Sequence, residues 1–240
     1  MKYLINNAIT FHVGFELTVK HVVEAIRQTN IALGALPFTL YKSIDYKTSS
    51  SIVGALFCAE IASVTTGIVN PIEKGHPDVL PASAAKASEE RLRNYPKGLE
   101  VKTTIGSVTQ GRDLRAGSPR IDDLTTITWQ AHHREVRELL GLVWDFVPVT
   151  SGGTQHFLPT VTGTFYTRTL VPDDWGAISG TTGRNTKVTA MKTSGRKKMG
   201  RGWVAVINLD PYVRKYTNIL TIPNLSYPNK ASCSRSLCLG

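Results

Sequence analysis

Asp78 and the triplet Glu100-Val101-Lys102 are the residues whose types and spacing suit the hydrolysis of a phosphodiester bond. Such hydrolysis needs a hard cation on the scissile phosphate, and Mg2+ is normally held by one or two carboxylates that leave it several waters. Asp78 and Glu100 supply carboxylate oxygens. On a strand, Lys102 lies on the same face as Glu100, where its ammonium group stabilises charge that builds up on the phosphate. The predicted chemistry is Mg2+-dependent phosphodiester hydrolysis.

An acid-x-Lys triplet is by itself a weak signal, because about one is expected by chance in a chain of this composition. Two occur, and the other is Asp45-Tyr46-Lys47. The acids upstream of Asp45 are Glu16 and Glu24, which both fall on a predicted helix. In contrast, Asp78 stands upstream of the triplet at Glu100, after a proline in a turn that leads into a short apolar run. This context favours the triplet at Glu100, and a solvated, structural ion pair is the alternative.

The pattern resembles the PD-(D/E)xK nuclease superfamily, in which an acid ends one strand and a (D/E)xK triplet lies on the next. Within that superfamily the chain looks most like a type II restriction endonuclease, and the resemblance covers residues 50–105. The resemblance implies metal binding at Asp78 and Glu100 and a catalytic role for Lys102. Glu60, on the preceding predicted helix, matches the accessory glutamate that many relatives place near the metal.

Two helices are predicted before this pattern. Apolar residues at spacings of three and four indicate an amphipathic helix over residues 12–30. A second helix is predicted over residues 51–66, with Ser50 or Ser51 as its N-cap. This second helix carries few charges.

Strands are predicted where polar and apolar residues alternate. A period of two over residues 97–105 places the acid and the lysine of the triplet on one strand face. Strands are also predicted over residues 161–170 and 203–209, and a loop over residues 148–160. The apolar residues 136–147 fit a helix or a strand equally well. The predicted fold class is α/β, with a mixed central β-sheet flanked by helices, as in a restriction-endonuclease-like core.

Length and composition indicate a single globular domain. The chain has 240 residues, of which 41% are hydrophobic and 19% charged, which excludes a disordered polar chain. We therefore predict one nuclease domain over residues 1–240, with a flexible tail over residues 227–240. No apolar run suits a membrane helix or a signal peptide, so we expect a cytoplasmic, intracellular protein of a bacterium that binds no membrane. The sparse cysteines, Cys58, Cys233 and Cys238, indicate neither a disulfide scaffold nor a four-ligand zinc site.

The charge of the chain points to a polyanionic partner. The 28 Lys and Arg outnumber the 18 Asp and Glu, which gives a net charge of +10. Nine of the basic residues lie in residues 184–216, against the single acid Asp210. We predict that this segment contacts DNA, with most of its side chains on phosphates, from a loop over residues 184–201. The predicted contacts are Arg184, Lys187, Lys192, Arg196, Lys197, Lys198 and Arg201.

These observations together predict a Mg2+-dependent, site-specific endonuclease that cuts duplex DNA as a homodimer. P-loop and GxGxxG motifs are absent, so no nucleotide cofactor is expected. One alternative is a structure-specific repair or recombination nuclease, and another is a non-catalytic basic protein that binds nucleic acid. Whether Glu60 or His76 joins the site stays open. The pair His132-His133 is not expected to hold a metal, because adjacent residues point in different directions.

Overall fold

The structure is a computed structural model that describes residues 1–73, 75–106, 127, 129–132, 134–180, 187–222 and 225. The helices of this part are α1 (Val19–Ala35), α2 (Phe38–Ser43), α3 (Tyr46–Val64), α4 (Glu89–Arg93), α5 (Thr193–Arg201) and α6 (Asp210–Leu220). Its strands are β1 (Tyr3–Ile5), β2 (Gly67–Val69), β3 (Val79–Pro81), β4 (Val101–Ile105), β5 (Gln130–Ala131), β6 (Leu139–Ser151), β7 (Thr154–Thr167), β8 (Ser179–Gly180), β9 (Lys187–Ala190) and β10 (Trp203–Ile207).

The central sheet has five strands in the order β1-β10-β7-β6-β4. Strand β4 runs parallel to β6, whereas the other neighbours are antiparallel, so the sheet is mixed. Strands β6 and β7 form a long hairpin that turns at Gly152 and Gly153, which both have positive φ. The predicted mixed sheet is confirmed, and β4, which carries most of the triplet, is its edge strand.

Helices cover both faces of this sheet, which confirms the predicted α/β class. Because side chains alternate along a strand, β6 directs Leu142 to one face and Val143 to the other. On the first face Leu142 belongs to the same buried cluster as Ile26 of α1 and Phe57 of α3. On the second face Val143 shares a cluster with Tyr216 of α6. The edge strand β4 therefore has α3 behind one of its faces.

The first two long helices begin at other residues than predicted. Helix α1 begins at Val19 because Thr18 is its N-cap and accepts a hydrogen bond from the His21 amide, so the residues before it form a non-helical arm. Helix α3 begins at Tyr46, with Asp45 as N-cap, and the predicted caps Ser50 and Ser51 lie inside the helix. A capping carboxylate five residues earlier explains the longer helix.

The predicted loop over residues 148–160 is wrong. These residues belong to β6, the tight turn and β7, and the undecided apolar residues before them form most of β6. Pro148 and Pro159 concealed the strands in the sequence, because proline is rare inside sheets. Cys58 is buried. The predicted tail, with Cys233 and Cys238, lies outside the described residues. No helix within the described ranges has the length and apolar character needed to cross a bilayer.

Candidate active site

A short hairpin brings Asp78 beside the triplet. Strands β2 and β3 pair antiparallel, and Asp78 immediately precedes β3. Val79 and Leu99 exchange two backbone hydrogen bonds, of 3.1 and 2.7 Å, across an antiparallel bridge. Since Asp78 precedes Val79 and Glu100 follows Leu99, this bridge sets the two acids side by side at the edge of the central sheet.

The backbone of the triplet holds the Asp78 carboxylate in place. Asp78 Oδ2 accepts a hydrogen bond of 2.7 Å from the Val101 amide. The chain around Asp78 is fixed as well, because the Asn70 amide donates to the Asp78 carbonyl at 2.9 Å. The acid is thus oriented by the strand that carries Glu100 and Lys102.

Glu100 is the centre of the cluster. Its Oε1 lies 2.5 Å from Lys102 Nζ, and its Oε2 lies 3.2 Å from His76 Nδ1. The Glu100 side chain is only 10% exposed and that of Lys102 only 19%. The structure therefore brings Asp78, Glu100 and Lys102 together at the sheet edge, and it adds His76, which the sequence left open.

Burial and mutual charge set the ionisation of this cluster. Burial, and then the nearby Glu100 charge, raise the pKa of Asp78 to about 6. Burial acts against ionisation of Glu100 too, but the hydrogen bond from His76 and the charge of Lys102 outweigh it and lower the Glu100 pKa. The bond to Glu100 raises the pKa of His76. The negative charges of Glu100 and Asp78 raise the pKa of Lys102 despite its burial. A cation beside Asp78 would relieve the repulsion between the two acids.

Two cavities adjoin the cluster. Asp78 lines a cavity of about 350 Å3 between α3 and β4, together with Gly54, Cys58 and Thr103. Burial raises the pKa of the Cys58 thiol, and the charges of Asp78 and Glu100 add to the effect. Glu100 lines a second cavity of about 280 Å3, together with His76 and Lys97 among others. The two acids are therefore reached from different sides of the cluster.

The donor set of the cluster fits a hard cation with few protein ligands. Asp78 and Glu100 offer carboxylate oxygens, and Mg2+ is commonly held by one or two carboxylates while it keeps several waters. Burial, and then the charge of Glu100, raise the pKa of Asp78 to about 6, and a bound divalent cation would neutralise the repulsion between the two carboxylates. Across the described ranges no group of three or more His, Cys, Asp or Glu side chains is arranged to hold a metal.

The competing triplet has a structural role in a different setting. Asp45 is the N-cap of α3, and its Oδ1 accepts a hydrogen bond of 2.6 Å from the Thr48 amide. Lys47, in the first turn of that helix, is exposed. Neither residue lines the cavities beside Asp78 and Glu100. The preference for the triplet at Glu100 agrees with this placement.

Of the other positions that the sequence singled out, Glu60 lies apart from the cavity at Asp78, whereas His132 lies near the cluster. Glu60 is half-buried on α3, two residues beyond Cys58, and is not among the described residues that line the cavity at Asp78. Since successive helical residues are about 100° apart, Cys58 and Glu60 point in different directions. His132 lies near His76, with ring centroids 6.1 Å apart, whereas His133 lies outside the described residues.

The basic segment is regular structure, and the predicted loop over residues 184–201 is wrong for its described part. Arg184 lies outside the described residues, Lys187 begins β9 and Lys192 directly precedes α5. Glycines and threonines concealed this helix, because they disfavour helix in isolation and packing overrides that preference. The remaining predicted contacts lie on α5: Arg196, Lys197, Lys198 and Arg201.

Two of these basic side chains are engaged within the protein. Lys198 Nζ lies 2.6 Å from the buried Asp174 Oδ2 and also donates to the Thr169 carbonyl at 2.7 Å. Arg196 donates to Thr193 Oγ1 at 2.7 Å and to the Met191 carbonyl. Lys197 and Arg201 are exposed. DNA contact by this segment stays a prediction.

A groove beside the cluster was missed by sequence reasoning. It has a volume of about 770 Å3, and its lining includes His12, Lys97, Arg137 and Arg168. Arg137 lies two residues before β6 and Arg168 directly follows β7, so the open end of the hairpin brings them together. Both arginines are visible in the sequence, but their proximity follows only from the pairing of β6 with β7. The sequence analysis predicted a loop over residues 148–160 and therefore did not predict this pairing.

No family model, curated protein or solved structure matches this chain.

Proposed function

We propose that the protein is a Mg2+-dependent endonuclease that hydrolyses phosphodiester bonds of duplex DNA. The observation that supports the proposal is the cluster in which Asp78, Glu100 and Lys102 meet at the edge of the sheet. Glu100 Oε1 lies 2.5 Å from Lys102 Nζ, and Asp78 is held by the Val101 amide of the same triplet. Two adjacent buried carboxylates with a lysine are the donor set that phosphoryl chemistry uses.

Each residue of the cluster has a distinct task in this proposal. Asp78 and Glu100 would hold Mg2+, which polarises the scissile phosphate and lowers the pKa of a bound water. The Val101 amide fixes the direction of the Asp78 carboxylate. His76 holds Glu100 Oε2, whereas Lys102 pairs with Glu100 Oε1. Lys102 keeps its positive charge because Glu100 and Asp78 raise its pKa, so it stabilises negative charge on the phosphate.

The proposal includes site-specific cleavage of the type II restriction kind, by a restriction-endonuclease-like core. The mixed central sheet with helices on both faces is compatible with such a core. One cluster of this kind cuts one strand, so cutting both strands of a symmetric site requires a homodimer with matched half-sites.

The test is to incubate the purified protein with long duplex DNA in Mg2+ or in EDTA and to separate the products on a gel. We expect discrete fragments in Mg2+ and intact DNA in EDTA. Asp78→Asn, which removes one carboxylate charge, should leave the DNA intact in both. The matched control is Asp45→Asn, which alters the acid of the other triplet and should cut like the wild type.

Other results separate the competing functions. A Mg2+-dependent smear would contradict site-specificity and favour the repair or recombination nuclease. DNA that stays intact in Mg2+ but migrates more slowly with protein would contradict catalysis and favour a non-catalytic nucleic-acid-binding protein.

A further inference from the structure

The groove beside the cluster is built by three separate segments. The arm before α1 is anchored by buried Phe11, whose ring lies 4.6 Å from that of Tyr166. The second segment is the one that carries Lys97. Gly14 in the arm has φ +84°, and a Cβ there would approach the Lys97 side chain to 3.1 Å, so the arm lies close against Lys97. The third segment is the open end of the β6–β7 hairpin, where the Leu170 amide donates to the Arg137 carbonyl at 3.1 Å.

This groove continues into the cavity at Glu100. His12, Lys97, Arg137 and Glu138 line both spaces. A chain of phosphates lying in the groove would therefore adjoin the cavity that is lined by Glu100, the central residue of the proposed active site. The only acid of the groove lining in the described part of the chain, Glu138, accepts a hydrogen bond from the Tyr166 hydroxyl.

Within the described part of the chain, the basic side chains of the groove have no carboxylate partner. Lys97, Arg137 and Arg168 are exposed, and none of them forms an ion pair with the residues that the structure describes. On α5, by contrast, Lys198 is paired with buried Asp174. Unpaired cations around a concave surface attract polyanions, because binding there breaks no internal ion pair.

We propose that this groove, defined by His12, Lys97, Arg137 and Arg168, binds the phosphate backbone of duplex DNA and directs a strand to Glu100. The inference rests on the proposed function for its choice of polyanion. It moves the main phosphate contacts away from the basic segment that sequence reasoning singled out. Helix α5 then has a smaller part in DNA binding, since its described basic residues line neither the groove nor the cavities at the cluster.

The test compares two double variants that each remove two exposed positive charges. Arg137→Ala with Arg168→Ala alters the groove, and Lys197→Ala with Arg201→Ala is the control on α5. Binding to a fluorescently labelled duplex is measured by anisotropy in EDTA over a range of salt concentrations. The groove variant should bind at least about tenfold more weakly at low salt, with the slope of log K against log salt reduced by about 1.8. The α5 variant should keep the wild-type slope.

A single variant guards against loss of fold. Lys97 is exposed, so Lys97→Ala should keep the wild-type melting temperature. It should reduce the slope of log K against log salt by about 0.9, for one lost phosphate contact. Wild-type binding by the groove variant, or an equal loss in the α5 variant, would overturn the inference. Because binding is measured without Mg2+, the result is independent of cleavage. A protein that binds through the groove but never cuts DNA would retain the inference and refute the proposed endonuclease.

Discussion

The two acid-x-Lys triplets of this chain have the same pattern but different surroundings. Asp45-Tyr46-Lys47 starts a helix, where one carboxylate oxygen caps an amide and the lysine is exposed. Glu100-Val101-Lys102 lies against a bridged hairpin, where its acid and lysine are largely buried and Asp78 is held by its backbone. The difference shows that the segment that folds next to a short motif decides which groups surround it. For this chain that segment is the one that carries Asp78.

The two triplets also differ in their effect on the stability of the fold. A helix cap stabilises the folded chain by about 1 kcal/mol and involves little desolvation. Burying two carboxylates and a lysine requires several kcal/mol of desolvation, which only close pairing offsets. A buried carboxylate such as Asp78, whose pKa is raised by burial and by a neighbouring charge, is typical of a functional site.

The largest expected effect separates the two lysines. Lys102→Ala should slow Mg2+-dependent cleavage of duplex DNA by about 100-fold or more, because it removes the cation placed to stabilise the transition state. Lys47→Ala should cut at the wild-type rate, since Lys47 is exposed on α3. Initial rates on a supercoiled plasmid measure both. Equal loss in the two variants would contradict the distinction between the triplets.

A second difference is expected in stability without metal. Asp78 has its pKa raised from 3.8 to about 6, chiefly by burial. A carboxyl with a raised pKa stabilises the folded state when protonated, so this contribution is complete below pH 3.8 and is lost as pH rises through about 6. In EDTA at neutral pH, Asp78→Asn should therefore increase the free energy of unfolding by about 3 kcal/mol.

Urea denaturation across pH measures this effect. The advantage of Asp78→Asn should shrink as pH falls from 6 and disappear near 3.8. Asp45→Asn is the matched control, because asparagine caps a helix about as well as aspartate. An Asp78→Asn variant that is less stable than the wild type at neutral pH would show that the ionised Asp78 carboxylate does not destabilise the folded state.

The smallest expected effect concerns the helix cap. Asp45→Ala removes the acceptor for the Thr48 amide and should lower the free energy of unfolding by about 1 kcal/mol. Cleavage per folded molecule should be unchanged. Urea denaturation and plasmid cleavage on the same preparation measure both quantities. A loss of cleavage with unchanged stability would place Asp45 in the active site and reverse the comparison.

The features that depend on local sequence pattern could be predicted from the sequence. The period of two around Glu100 predicted a strand, and the apolar run after Asp78 indicated where the second acid lies. The start of α3 was not predictable in this way, because Ser50 and Ser51 suit an N-cap as well as Asp45 does. The basic groove was missed as well. Arg137 and Arg168 are 31 positions apart and meet only through the register of a hairpin whose prolines disguised it.

The most direct test of the proposed site is a Mg2+ titration of plasmid cleavage by the wild type, Glu100→Gln and Asp45→Asn. Glu100 pairs with Lys102 and His76, so its neutral replacement removes one of the two proposed cation ligands while nearly keeping the side-chain shape. We predict a saturable, Mg2+-dependent rate for the wild type and for Asp45→Asn, and no rate above background for Glu100→Gln. Equal cleavage by all three proteins, or none by the wild type at any Mg2+ concentration, would contradict the assignment of Asp78, Glu100 and Lys102 as a nuclease site.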